Sequence, residues 1–123
     1  MERTPSQLVR DFCAAFSRLD VEEVMAYFSD EPVYHNMPGP AAVGTQAVRQ
    51  TLKRFLGSWQ ATEWEVLNMA EAGNVVFAER IDRSDVAGKH VDLPCVGVFE
   101  IVDGKISVWR DYFDLATYTK GLT

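Results

Sequence analysis

The sequence predicts an α+β fold: a curved, mixed but mostly antiparallel sheet with three to four helices forming a conical pocket. Two observations predict it. Apolar residues recur at helical spacing through the first half of the chain and at a spacing of two through the second. Asp103-Gly104 also separates two alternating apolar runs, a strong hairpin signal. Helices grouped ahead of strands segregate to one face of a sheet.

The elements follow in order. Thr4-Pro5-Ser6-Gln7 reads as a capping box with proline at the first helical position. Leu8, Phe12, Ala15, Phe16 and Leu19 continue at helical spacing. Asp20 and Glu23 repeat the cap signature and open a short second helix carrying Val24, Met25 and Phe28, which Pro32 keeps from running on. Val33 to Met37 is a brief strand, and Pro38-Gly39-Pro40 a stiff loop with two positions that cannot donate to a ladder. Thr45 caps a third helix whose apolar face is Val48, Leu52, Phe55, Leu56 and Trp59. Thr62 to Ala70, Asn74 to Ser84, Lys89 to Val102 and Lys105 to Phe113 then read as strands of an antiparallel meander, and Leu115 to Lys120 as a last helical turn.

At 123 residues the chain is expected to form a single domain over 1–123, able to bury roughly two-thirds of its unfolded surface. The net charge of −6, without a Lys/Arg cluster, argues against nucleic acid and acidic membranes as partners. Met1 to Gln7 lacks the apolar run of a signal peptide, and no stretch approaches the ~18 apolar residues of a membrane span. Cys13 and Cys95 read as two reduced thiols of a cytoplasmic protein. Two His and two Cys, all scattered, do not give metal-ligand spacing, although His90-Val91-Asp92 could ligate in principle. Phosphate-binding glycine loops and a nucleophile elbow are absent from the sequence.

Five polar residues break the apolar pattern. Residues two apart on a strand share a face, so Tyr34 pairs with Asn36 and Arg80 with Asp82, while Asp111 lies between Trp109 and Phe113. A carboxylate among aromatics is costly without a partner. Asp111 could be a general base in a water-poor pocket, or an acid satisfied by a salt bridge or a strand end. Arg80 and Asp82 could be a surface pair of little energetic weight. Alternatively, Arg80 could fork between Asp82 and Asp111, since a guanidinium bonds two carboxylates at once and keeps its proton. One cation between two acids lets the second acid stay protonated, which joins a proton donor to a proton acceptor. Tyr34, Asn36 and Asp111 together could hold a water. His35 points the other way and reads as structural or interfacial. Leu93, Cys95, Gly97 and Phe99 share the inward face of their strand, and Phe55, Trp59, Leu93, Cys95 and Phe113 are the candidate pocket lining.

The order Tyr34-x-Asn36-Met37-Pro38, then Arg80-x-Asp82, then Asp111 in an aromatic strand resembles the limonene-1,2-epoxide hydrolase family. The resemblance covers the chain from the first helix to about Tyr118. It implies the nuclear-transport-factor-2-like (SnoaL-like) cone and addition of water to a small hydrophobic epoxide, giving a vicinal diol with no cofactor and no covalent intermediate. It also assigns roles. Asp111 would deprotonate a water positioned by Tyr34 and Asn36, Asp82 would protonate the epoxide oxygen, and Arg80 would bridge the two acids. A homodimer is expected by the same resemblance, with Val96, Val98 and Tyr112 as a pairing face. Some relatives carry an N-terminal extension where this chain starts almost at its first helix, a departure that bears on lid coverage and substrate size. The same cone hosts ketosteroid isomerases and polyketide cyclases, and a non-catalytic small-molecule-binding module is a further alternative.

Overall fold

A computed structural model describes residues 3–123; Met1 and Glu2, part of the terminus read above, lie outside the described residues. Helix α1 runs Pro5–Ala15 and is capped as expected, with the Thr4 hydroxyl accepting from the Gln7 N–H at 3.1 Å. A 3₁₀ turn at Phe16–Arg18 leads into α2, Val21–Met25, which Asp20 caps by accepting from the Glu22 and Glu23 N–H groups. Phe28 is not part of that helix. It opens strand β1, Phe28–Asn36, which is longer than expected because Phe28 already pairs with Ile106. Pro32, which has no N–H to give, falls where the β1 register shifts between Phe28 and Val33.

A two-residue strand β2, Ala42–Val43, follows the proline loop. Helix α3 is Thr45–Ser58. Gly44 holds its N-cap position instead of Thr45, whose hydroxyl donates to the Asp30 carbonyl at 2.9 Å and ties the helix to β1. Trp59 sits one residue past the helix. Strands β3 (Ala61–Ala72), β4 (Val75–Val86), β5 (Lys89–Val102) and β6 (Lys105–Phe113) form the meander. The β5–β6 turn sets Asp103 and Gly104 at φ 50° and 74°, the positive pair that a two-residue hairpin needs. Helix α4, Leu115–Gly121, is capped by Asp114.

The sheet order is β2-β1-β6-β5-β4-β3. Among the described residues only β1 and β6 pair in parallel, so the sheet is mixed. Register shifts at Val66/Asn68 and Glu100/Ile101 mark irregularities that bend strands and curve the sheet. Helix α1 fills the concave side. Phe12 meets Trp109 edge-on at 5.0 Å, and Phe16 stacks on Trp64 at 3.7 Å. Phe12, Phe16, Phe99 and Trp109 are wholly buried, and each such side chain contributes roughly 1.5–3 kcal/mol. Among the described residues, no helix is long and apolar enough to cross a membrane.

Candidate active site

Strand β4 carries the site's centre. Val76, Ala78, Arg80, Asp82 and Ser84 all bury on one face, so the strand turns from apolar to polar along its length. Asp111 lies on β6, two strands away across β5, a span of about 9–10 Å at normal strand spacing. Arg80 bridges it. Its Nε and Nη2 donate to Asp82 at 3.0 and 2.8 Å, and its Nη1 and Nη2 donate to Asp111 at 3.0 and 2.8 Å. The guanidinium is completely buried and lies over the Trp64 ring, 4.5 Å from its centroid.

Gly97 makes this reach available. It pairs with Asp111 on one side and Ala78 on the other. A Cβ there would stand 2.5 Å from Arg80 Nη1 and 2.9 Å from Asp111 Oδ1. The next position along β5, Cys95, was expected to line the pocket. It does not; it turns to Asp82 and donates its S–H at 3.4 Å.

Strand β1 supplies the other two polar groups. Parallel pairing sets Asn36 beside Asp111 and Tyr34 beside Trp109, on which the Tyr34 ring stacks at 4.0 Å. The Met37 N–H donates to the Asp111 carbonyl at 2.9 Å, continuing the pairing beyond the strand. Trp109 donates its indole N–H to Asp111 Oδ1 at 2.6 Å. The five polar residues singled out in the sequence are therefore brought together.

The two acids differ in surroundings. Asp111 accepts three N–H hydrogen bonds, two from Arg80 and one from Trp109. Asp82 accepts two N–H bonds and a weaker thiol bond. Burial raises the Asp82 carboxyl above its usual range, although Arg80 pulls it down. Burial also works against the Arg80 charge, but Asp111 and Asp82 outweigh it and fix the guanidinium as a cation. Tyr34 stays a neutral phenol well past its ordinary range, first through burial and then through the Asp111 charge. Asp82, Cys95 and Asp111 lie close enough to resemble a metal cluster, but Arg80's four N–H bonds engage both carboxylates, so the cation they hold is the guanidinium.

A cavity of about 630 Å³ opens onto this centre, within the roughly 300–1,000 Å³ of small-molecule sites. Tyr34, Asn36, Asp82 and Asp111 reach it, and of the expected lining Phe55, Trp59, Leu93 and Phe113 do so. Arg80 does not line it; the arginine organises the acids from behind. Sequence reasoning missed Trp64, which lines the cavity while supporting Arg80, and Tyr118 on α4, which accepts from the Trp59 indole at 3.1 Å. Trp64 lies opposite Asp82 in the β3–β4 ladder, a register that alternation within one strand does not carry. His35 donates to the Gly39 carbonyl at 2.9 Å, a loop-holding contact. Exposed His90 sits between Asp85 and Asp92, at 2.6 and 2.7 Å.

The family model for the limonene-1,2-epoxide hydrolase catalytic domain matches residues 3–123. This chain belongs to that family. It is 32% identical over 114 residues to the epoxide hydrolase EphG of Mycobacterium tuberculosis, covering 93% of this chain and 76% of the relative. An M. tuberculosis LEH-like epoxide hydrolase structure superposes with a TM-score of 0.83 at 31% identity, covering 96% of this chain and 88% of that one. A putative SnoaL-like polyketide cyclase from Shewanella putrefaciens matches with a TM-score of 0.85 at 14% identity, covering 99% and 98%. That likeness establishes the shared cone and carries no function.

Proposed function

We propose that this protein is an epoxide hydrolase that adds water to a small hydrophobic epoxide, terpene-like or cyclic, and releases a vicinal diol in one step. The observation that carries the reading is the shared guanidinium: Arg80 holds Asp82 and Asp111 within one buried network at 2.8–3.0 Å. Asp111 takes a proton from a water held by Tyr34 and Asn36, three partners being the ordinary count for a buried water. The water oxygen bonds to an epoxide carbon as the ring C–O bond breaks, and that oxygen takes the proton of Asp82. The step leaves Asp111 protonated and Asp82 ionised. Arg80 therefore faces one negative charge before and after, so the fixed cation favours concerted transfer. Return of the proton from Asp111 to Asp82 through solvent resets the pair.

Acid help and nucleophile activation are each typically worth about 10²–10⁴-fold. Both suit an epoxide, whose leaving oxygen is a poor alkoxide. No cofactor enters this scheme. Asp111→Asn tests it: diol formation should fall at least ~10²-fold while a hydrophobic ligand still binds. Undiminished diol formation would contradict the reading.

The reading extends to assembly. Phe77, Val96 and Tyr112 are more than one-third exposed on the sheet face opposite the pocket, which supports a homodimer paired through that face; Val98 between them is largely covered. Light scattering giving a monomer mass would overturn the dimer. Two buried, unpaired thiols, Cys13 and Cys95, fit a reducing cytoplasmic setting.

A further inference from the structure

The cavity has a charged end that the proposed reaction does not use. Arg54 on α3 lines it, yet is solvent-exposed, so it stands at the mouth while the buried carboxylates form the floor. The chain carries 18 acids against 12 bases, and acids take up most of the arginines. Arg3, Arg18, Arg49, Arg80, Arg83 and Arg110 each hold a carboxylate within 4 Å. Arg54 has no such partner among the described residues. Its neighbours three and four places away on the helix are Gln50, Thr51, Gly57 and Ser58, none of them acidic. Its guanidinium carbon lies 5.5 Å from the ring centroid of Phe55, itself part of the cavity wall.

Size points the same way. At ~30 Å³ per water, the 630 Å³ cavity has room for about 20 waters. A six-carbon cyclic epoxide fills only part of it. The charge pattern runs from two carboxyls on the floor, whose shared cation Arg80 is already engaged by both, to a free cation at the mouth. An anionic group meets carboxyl oxygens and no free cation at the floor, whereas the rim offers Arg54, which fixes which end of a substrate enters first.

We propose that Arg54 selects epoxides carrying a carboxylate remote from the ring, seating the anion at the mouth while the hydrophobic body carries the epoxide to Asp82 and Asp111. This rests on the epoxide-hydrolase reading and specifies its substrate. Arg54 is a specificity residue here, with no part in the bond-breaking step.

Two measurements test it. The first compares kcat/KM for a medium-chain epoxy acid and its methyl ester, which differ in charge and one methyl group. Exposed ion pairs are modest in strength, so the acid should be favoured by about fivefold at low salt. That preference should shrink as salt screens the pair. It should persist in Arg54→Lys and invert in Arg54→Glu. Equal values for acid and ester, or a ratio indifferent to Arg54→Glu, would overturn the proposal. The second measures binding of the saturated acid and its ester, which have no epoxide, by calorimetry. An acid preference that is lost or inverted in Arg54→Glu supports anion recognition even if no epoxide is opened; an unchanged preference overturns it. Failure of the protein to open any epoxide, neutral ones included, would instead overturn the hydrolase reading.

Discussion

Gly97 stands opposite Asp111 in the β5–β6 ladder, and the hydrogen it carries in place of a side chain leaves the path by which Arg80 reaches that carboxylate. A methyl group there would meet the guanidinium at 2.5 Å and the carboxylate at 2.9 Å, and both partners are buried and hydrogen-bonded, so neither yields freely. Overpacking of this kind costs about 1–3 kcal/mol, and a displacement of ~1 Å in an active site can cost about 10²-fold in rate. Gly97→Ala should therefore remain folded, lose a few degrees in Tm and lose far more in kcat. Wild-type turnover in this variant would contradict the geometry.

Arg80→Met tests the electrostatics. It keeps much of the side-chain volume over Trp64 but leaves Asp82 and Asp111 buried without their cation. Breaking a buried ion pair from one side typically costs about 3–5 kcal/mol. The midpoint of urea unfolding should drop sharply at neutral pH, and the loss should lessen in acid, where both carboxyls are neutral. A loss that stays the same in acid would point to packing instead of charge.

The pH dependence follows from Asp82. Burial raises its carboxyl, so its proton-donating form persists to higher pH than in an exposed aspartate. The folded state then holds that proton more tightly than the unfolded chain. The stability this lends is present below the unfolded pKa and is lost as pH rises through the raised value. As the proton donor, Asp82 makes kcat/KM decline on the alkaline side. This alkaline limb marks loss of the donor proton. The Cys95 thiol bond lowers the Asp82 carboxyl, though less than Arg80 does. Cys95→Val should therefore move the alkaline limb upward; a downward shift would contradict the contact.

Trp109→Phe separates packing from hydrogen bonding at the base. The ring can still stack on Tyr34 and meet Phe12, but the N–H to Asp111 is gone. Hydrogen bonds to charged groups are worth about 1.5–3 kcal/mol, so kcat should fall roughly 10- to 100-fold. The cavity lining is unchanged in this variant, so KM should change little. Unchanged kcat would show that Arg80 alone orients Asp111.

Much of this was legible in the sequence because period carries it. Alternation put Arg80 with Asp82, and Tyr34 with Asn36, on shared faces, and the Asp103-Gly104 pair fixed the last hairpin. What alternation cannot supply is register between distant strands. That Arg80 lies opposite Cys95, that Gly97 lies opposite Asp111, and that Trp64 lies opposite Asp82 depends on bulges and turns acting together. For this reason alternation gives Cys95 its face but not its target, the Asp82 carboxylate. A helix end and a strand start share apolar residues, so Phe28 fits either by pattern, and parallel pairing with Ile106 decides for the strand. Thr45 carried the right chemistry for a cap but spends its hydroxyl on Asp30.

The most direct test is a single turnover with enzyme in excess of a neutral cyclic epoxide in ¹⁸O-labelled water. If Asp111 acts only as a base, the first diol released carries the label and the protein carries none. An unlabelled first diol, with ¹⁸O appearing later in an aspartate side chain, would mean that a carboxylate attacked the epoxide carbon, and the one-step account would be wrong.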